Sequence, residues 1–518
     1  MKPAFHRNAL VKGALLMTGS TYVSYFLGLL SSVLVARALG PDDFGRYSYV
    51  VWLSGLLVLL ANHGLTTSAI RFISESLGRE LPRAAYRLYA LLRRWQFDSL
   101  LLVMAGFLVA AHWLPPAGLS DRMLLFVAVV VVSVAAKTIY LFEISVAKGY
   151  GNFGIEAASS VTISVASILA VAIAFACGGG LATFLALFAG AGIAYAVLAA
   201  RMMRRAQLRA RRGRLDPELS ARLRQHLGWT LVMVLVGAFS NKSIETFLLN
   251  AMVGSAEVGF FSIAGALTRG GVETLSSGLS TVLMPSMSHA YGAGGRERAG
   301  AILSNALRYF QFVGLLLAGV GFLWAGPVVD LMYGAKYAPV IPVFRTMVVV
   351  GGLTLAEGAF GAMLTTTDNQ RVRAAMVAVS VTASAVAAGL LVPRYGLAGA
   401  VAAHAISRAV VFAVLVATIQ RTLALRLPLR DLGRLLLAAA IAATAVAPIP
   451  LLAPGRIAEV LAGGGYGVLF VAATVLLRVW RAQDYAQVDT ICSRIPPLHA
   501  RLGPLLRRWA VSFASPVA

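Results

Sequence analysis

The chain has 518 residues, of which 59 % are apolar and 13 % charged, with a mean hydropathy of +0.79. Soluble domains carry about 25 % charged residues and disordered chains are poor in apolar ones, so this composition excludes an ordinary cytosolic enzyme and an unfolded chain alike. The net charge of +24 admits nucleic acid or an anionic membrane as partner until the basic residues are placed along the chain.

A bilayer crossing needs roughly 20 apolar residues in a helix. Apolar runs at 11–36, 44–68, 95–114, 122–146, 157–177, 181–200, 228–253, 257–285, 305–325, 341–364, 374–392, 398–419, 435–453 and 459–477 predict an all-α polytopic membrane protein of about fourteen spans. The first run follows Lys2, Arg7 and Lys12 and ends at Ala36-Arg37-Ala38. A signal peptide's apolar stretch is about 7–15 residues, shorter than this one, so the run reads as a retained helix. Cys177 and Cys492 offer neither metal spacing nor a disulfide framework.

With the amino terminus in the cytoplasm, 34 of the 45 basic residues fall on the cytoplasmic side and 7 outside. The remaining 4, Lys137, Lys242, Arg269 and Arg408, fall within spans. The positive-inside rule then places both termini in the cytoplasm. Most of the basic charge becomes a topology signal, and nucleic acid is not an expected partner. The Arg-rich linker 201–227 is expected to touch anionic lipid headgroups, and the tail 481–518, with Arg501, Arg507, Arg508 and Trp509, to lie on the same surface.

Shifting the sequence against itself by 214 residues superposes Gly40 on Gly254, Gly45 on Gly259, Ser48 on Ser262, Gly64 on Gly278 and Gly78 on Gly292. The same offset carries the spans at 95–114, 157–177 and 181–200 onto those starting near 305, 374 and 398. The duplicated unit therefore has six helices. Six crossings return the chain to the same side, which makes the halves parallel repeats of the kind that hold substrate near the bilayer midplane. The expected organisation is an N-lobe 1–200, the linker 201–227, a C-lobe 228–420, a helical hairpin 421–480 and the tail 481–518.

Ala36-Arg37-Ala38-Leu39-Gly40-Pro41-Asp42-Asp43-Phe44-Gly45-Arg46-Tyr47-Ser48 resembles the first inter-helix loop of the polysaccharide flippases. These are the O-antigen type transporters of lipid-linked oligosaccharide in the multidrug/oligosaccharidyl-lipid/polysaccharide exporter superfamily. Asn62-His63-Gly64-Leu65, Glu257-Val258-Gly259-Phe260-Phe261-Ser262, Met332-Tyr333-Gly334-Ala335-Lys336-Tyr337 and Pro393-Arg394-Tyr395-Gly396-Leu397-Ala398-Gly399 follow in the family's order. The resemblance covers about 15–420 and implies a flippase of the bacterial inner membrane acting in polysaccharide biosynthesis and export. Its implied partners are a polyprenyl-diphosphate-linked glycan, membrane lipids and the polysaccharide polymerase and export machinery. Where the family often has Asp in helices 2 and 7, this chain has Asn62-His63 and Glu245. Gly40, Pro41, Gly45, Gly254 and Gly259 read as structural turn residues, with Asp42 and Asp43 suited to capping the next helix.

A charge at the centre of a spanning helix costs roughly 2.5–3.5 kcal/mol on insertion scales, so it faces a partner or a wet cavity. Lys242 with Glu245 and Arg269 with Glu273 stand one helical turn apart and are placed to neutralise each other. The competing reading has Lys137, Lys242, Arg269 and Arg408 lining a cavity between the halves and holding the cargo's diphosphate, with Glu245, Glu273 and Glu357 as ion-coupling groups. His63 and His404 read as packed or capping residues and Glu143 as a solvated edge residue. Nucleotide-loop, His-Glu-x-x-His and Gly-x-Ser-x-Gly motifs do not occur, so neither an enzymatic site nor a cofactor is expected. Three rivals remain: a lipid II flippase, a multidrug extruder of the same superfamily, and a membrane polysaccharide polymerase or ligase. The last would use a long outer loop, and the longest outer gap, about 326–340, is short.

Overall fold

The computed structural model of the chain describes residues 7–113, 122–211, 213–238, 243–367, 370–423, 427–453 and 455–493, with 504, 509 and 512 beyond them. Among the described residues every regular element is helical. By contact the chain forms two compact units, Met1–Ser262 with Ser384–His404, and Ile263–Ala383 with Ala405–Ala518.

The first unit opens with α1 (Arg7–Asn62), which is two crossings joined end to end. Its span from Gly19 to Asn62 is 44 residues, about 66 Å at 1.5 Å per residue, and one hydrocarbon core needs about 30 Å. The break is at Gly40, whose φ of 73° and ψ of 177° suit a residue without Cβ, and Pro41 restarts the helix. Asp43 spends its carboxylate on Arg46, 3.0 Å away. Gly45 and Gly259, expected in turns, lie inside helices instead. A Cβ on Gly45 would overlap the Ser255 carbonyl oxygen, and one on Gly259 would stand 3.2 Å from the Gly45 Cα. Smallness at these two repeat-related positions serves a backbone crossing, not a turn.

After the left-handed Gly64 come α2 (Leu65–Gly78), α3 (Pro82–Trp113), α4 (Met123–Gly149), α5 (Gly154–Ala176) and α6 (Leu181–Arg205). Their shared core includes Phe72, Ile73, Leu88, Leu92, Phe142 and Met203. The stretch between α6 and α7 (Pro217–Ala238) is strapped to α3. The Arg211 N–H donates to the Tyr86 carbonyl at 3.1 Å, and Arg87 Nη1 donates to the Arg214 carbonyl at 2.9 Å. This part of the basic linker is thus held against protein. Next come α8 (Ser243–Met252) and α9 (Ser255–Thr268), separated at Gly254 as α1 is divided at Gly40.

In the second unit a π-helical turn, Arg269–Glu273, runs into α10 (Thr274–Met332), then α11 (Val340–Leu353) and α12 (Glu357–Thr366). The long α13 (Gln370–Leu423) contributes residues to both units and breaks at Gly396, with φ 54°, just beyond Pro393. The C-terminal hairpin is α14 (Leu429–Val446), the short α15 (Pro448–Leu452) and α16 (Arg456–Leu476), followed by α17 (Ala482–Cys492). It packs on α10 through Leu315, Leu435, Ala438, Ala462, Tyr466 and Phe470.

Nine helices among the described residues are long and apolar enough to cross a membrane. Two bent pairs, α7 with α8 at 45° and α11 with α12 at 41°, raise the number to eleven. The runs expected at 228–253 and 341–364 fall on these bent pairs. The double-length stretches Gly19–Asn62 and Ala374–Arg421 each take in two of the expected runs. The chain is a multi-pass membrane protein of two six-helix repeats and a C-terminal hairpin.

Candidate functional site

The second unit gathers four of the ionisable residues singled out from sequence. Thr268 Oγ1 donates to the Ala264 carbonyl at 2.8 Å, and Thr274 Oγ1 donates to the Arg269 carbonyl at 2.9 Å, bracketing the π turn with side-chain bonds to the backbone. Such bulges in a helix recur at functional sites. Ser276 Oγ then donates to the Leu355 carbonyl at 3.0 Å, tying α10 to the break between α11 and α12. Glu357 begins α12 directly beyond that break.

Arg408 Nη1 lies 3.0 Å from Glu357 Oε2, and Arg269 Nε lies 3.6 Å from Glu273 Oε2. Glu273 is a further charged neighbour of Glu357. The four charges cancel. Burial divides them: the Arg408 and Glu357 side chains are 29 % and 18 % exposed, those of Arg269 and Glu273 61 % and 38 %. The Glu357 Oε1 oxygen is buried, with no hydrogen-bond partner among the described residues. The site is an electroneutral cluster with an inner pair and an outer pair, in which each guanidinium is held by one carboxylate. Chemically it can exchange those carboxylates for another anion, because a guanidinium fork fits phosphate as well as carboxylate.

The first unit holds Lys137 and Glu245. Lys137, on α4, is exposed and forms no ion pair among the described residues. Glu245 is 1 % exposed and accepts a hydrogen bond from Ser384 Oγ at 2.6 Å, which joins α8 to α13. Lys242, expected to pair with Glu245, lies outside the described residues, as does nearly all of the tail beyond Ser493.

Two buried charged residues depart from what the sequence suggests. Glu143, expected at a solvated edge, is 5 % exposed and accepts from Tyr89 Oη at 2.5 Å, with Arg93 3.9 Å away. Its position near the end of an apolar run gives no hint that α3 extends far enough to cover it. Arg308, near the start of the run 305–325, is 1 % exposed and bonds Asp484 at 2.7 Å. The partners are 176 residues apart, and no local pattern links them. A cleft of about 480 Å³ between the α2–α3 turn and the start of α7 carries four arginines and four acids, so its lining has no net preference for an anion.

A family model described as polysaccharide biosynthesis protein matches residues 10–291. No curated protein matches the chain. Among solved structures, the lipid II flippase MurJ in an inward closed conformation is 12 % identical, with 88 % of this chain and 98 % of that one covered, at a TM-score of 0.65. An inward-facing multidrug resistance MATE family transporter of the MOP superfamily is 15 % identical over 77 % of this chain and 94 % of that one, at 0.63. A point mutant of the Vibrio cholerae MATE transporter VcmN is 15 % identical over 80 % and 97 %, at 0.56. At such identities the likeness is one of fold.

Proposed function

The chain belongs to the polysaccharide biosynthesis protein family, and on that footing we propose that it is a flippase for a polyprenyl-diphosphate-linked oligosaccharide. It moves this cargo from the cytoplasmic to the outer leaflet of a bacterial inner membrane by alternating access, with both termini in the cytoplasm. It supplies the glycan to polymerase and export machinery and performs no covalent chemistry.

The observation that carries the reading is the balanced cluster of Arg269, Glu273, Glu357 and Arg408. Two arginines kept neutral by carboxylates inside an apolar protein are costly to retain unless an anionic ligand uses them. A diphosphate displaces the carboxylates from the guanidinium groups, and the released Glu273 and Glu357 then take up protons, coupling the cycle to an ion gradient. Lys137 and Lys242 are further candidate cations for an anionic cargo, and Glu245 is a third candidate carrier of coupling charge. The fold of a lipid II flippase over 88 % of the chain favours a second reading, with lipid II as cargo. A multidrug extruder, which takes cationic cargo, is disfavoured by the arginines.

The test is substitution of Arg269 and Arg408 by Ala in cells lacking the native gene. Each removes a charge-assisted contact worth about 1.5–3 kcal/mol, roughly 10- to 100-fold in cargo affinity. Lipid-linked oligosaccharide is expected to accumulate on the inner leaflet while the protein stays folded in the membrane. Full export in both variants overturns the reading.

A further inference from the structure

Four helices of the first unit, α1, α4, α5 and α6, bring hydroxyl groups together inside their spanning segments. Ser24 Oγ lies 2.7 Å from Ser160 Oγ, Ser164 Oγ lies 3.1 Å from Tyr195 Oη, and Tyr140 Oη lies 3.2 Å from Ser159 Oγ. Tyr195 Oη also reaches the Ser160 carbonyl at 3.4 Å. The Tyr140 and Tyr195 rings are 4.8 Å apart. Gly192, on α6, faces Ala136 of α4, where an added Cβ would stand at an ordinary contact distance of 3.6 Å from the Ala136 methyl, and the two tyrosines follow one turn further along each helix.

A serine in an apolar helix commonly bonds back to a carbonyl one turn before it, as Ser159 does to Ile155 at 2.6 Å. Ser24, Ser160, Ser164 and Tyr195 bond across helices instead, and a hydroxyl with one donor and two acceptor sites retains capacity after a single such bond. The seam also has two depths. Tyr140, Ser159 and Ser164 are buried behind it, whereas Ser24, Ser160 and Tyr195 are partly exposed. Lys137 stands one turn before Tyr140 on α4, exposed and without an ion pair among the described residues.

We propose that this seam is a carbohydrate subsite, in which Tyr195, Ser160 and Ser24 bind the sugar of a cargo whose diphosphate meets Lys137. Sugar hydroxyls both donate and accept, which matches a cluster of amphoteric hydroxyls better than a row of charges, and the Tyr195 ring supplies an apolar face beside them. The inference rests on the diphosphate-linked glycan reading and specifies where the glycan part is recognised.

The test compares two probes on the full chain in lipid nanodiscs: polyprenyl diphosphate alone, and the same lipid bearing a synthetic disaccharide. The subsite makes the glycosylated probe bind more tightly to the unsubstituted protein. Tyr195→Phe combined with Ser160→Ala removes two hydroxyls and no ring, and is expected to weaken the glycosylated probe about 3- to 10-fold per lost bond while leaving the bare lipid unchanged. Lys137→Gln weakens both probes alike. An equal loss on both probes in the Tyr195/Ser160 variant, or no loss on either, assigns the seam to helix packing and overturns the subsite. If neither probe binds the unsubstituted protein, the diphosphate reading falls first and the subsite with it.

Discussion

Arg308 offers the sharpest test of the packing described, because its two sides are unequal. Asp484 receives three donors: Arg308 Nη2 at 2.7 Å, the Arg481 backbone N–H at 2.7 Å, and Tyr309 Oη. Arg308 has that one carboxylate, while its Nε and Nη1 are buried with no hydrogen-bond partner among the described residues. Asp484→Ala therefore leaves a buried guanidinium with no counter-ion, a loss of about 3–5 kcal/mol. Arg308→Met leaves Asp484 with its other two donors and relieves the two unbonded nitrogens, so its cost stays below about 3 kcal/mol, the value of one charge-assisted bond. The double variant should resemble Arg308→Met, since the stranded charge is gone. The assay is thermal unfolding in detergent followed by tryptophan fluorescence, with Trp480 as a local probe because the Arg308 guanidinium sits 6.0 Å from its ring centroid. If Arg308→Met is as damaging as Asp484→Ala, or the two costs add in the double variant, the asymmetry is wrong.

Three further outcomes follow from the same geometry. Gly45→Ala drives a methyl into the Ser255 carbonyl oxygen and should lower stability by about 1–3 kcal/mol, whereas Gly28→Ala, with nothing within 4 Å, should be silent; equal melting temperatures would refute the close crossing. Glu143→Leu strands the buried Tyr89 hydroxyl and should cost about 1–3 kcal/mol, while Glu143→Gln, which can still accept that bond, should cost distinctly less; equal losses in thermal unfolding would remove the bond from the account. Glu357→Gln removes the counter-ion of Arg408 and a proton carrier together, so transport measured across a pH series should lose its pH dependence; an unaltered profile moves coupling away from this carboxylate.

What the sequence discloses and what it withholds follow from the range of the interactions involved. Spanning helices are legible because their cause is local: an apolar run satisfies its own backbone hydrogen bonds wherever it stands in the membrane. The break at Gly40 is legible for the same reason, since Gly-Pro dictates backbone geometry at that point. Gly45 misleads because glycine serves two purposes that look alike in sequence, freedom of φ and absence of bulk, and only its neighbour, the Ser255 carbonyl, distinguishes them. The Arg269–Glu273 pair is visible in sequence, being one turn of helix, and the structure adds the π distortion on which it sits. The pairing of Arg408 with Glu357 is not visible there, although both residues stand out singly, because 51 residues and the break at the head of α12 separate them. The same limit explains Arg308, whose partner is on α17, 176 residues away.

The charged residues divide by the same criterion. Cations that orient a chain act through their number on one side of the membrane, so the tally along the sequence suffices for them. Cations that hold a ligand act through individual geometry, of which a tally says nothing: Arg308 is more deeply buried than Arg269 or Arg408, each of the three facing one carboxylate. Exposure within a spanning segment is the discriminating property. A guanidinium or ammonium that stays accessible in an apolar protein, such as Arg269 or Lys137, is stable only where water or an anion reaches it, and that requirement makes these two the residues on which substitution should affect transport more than folding.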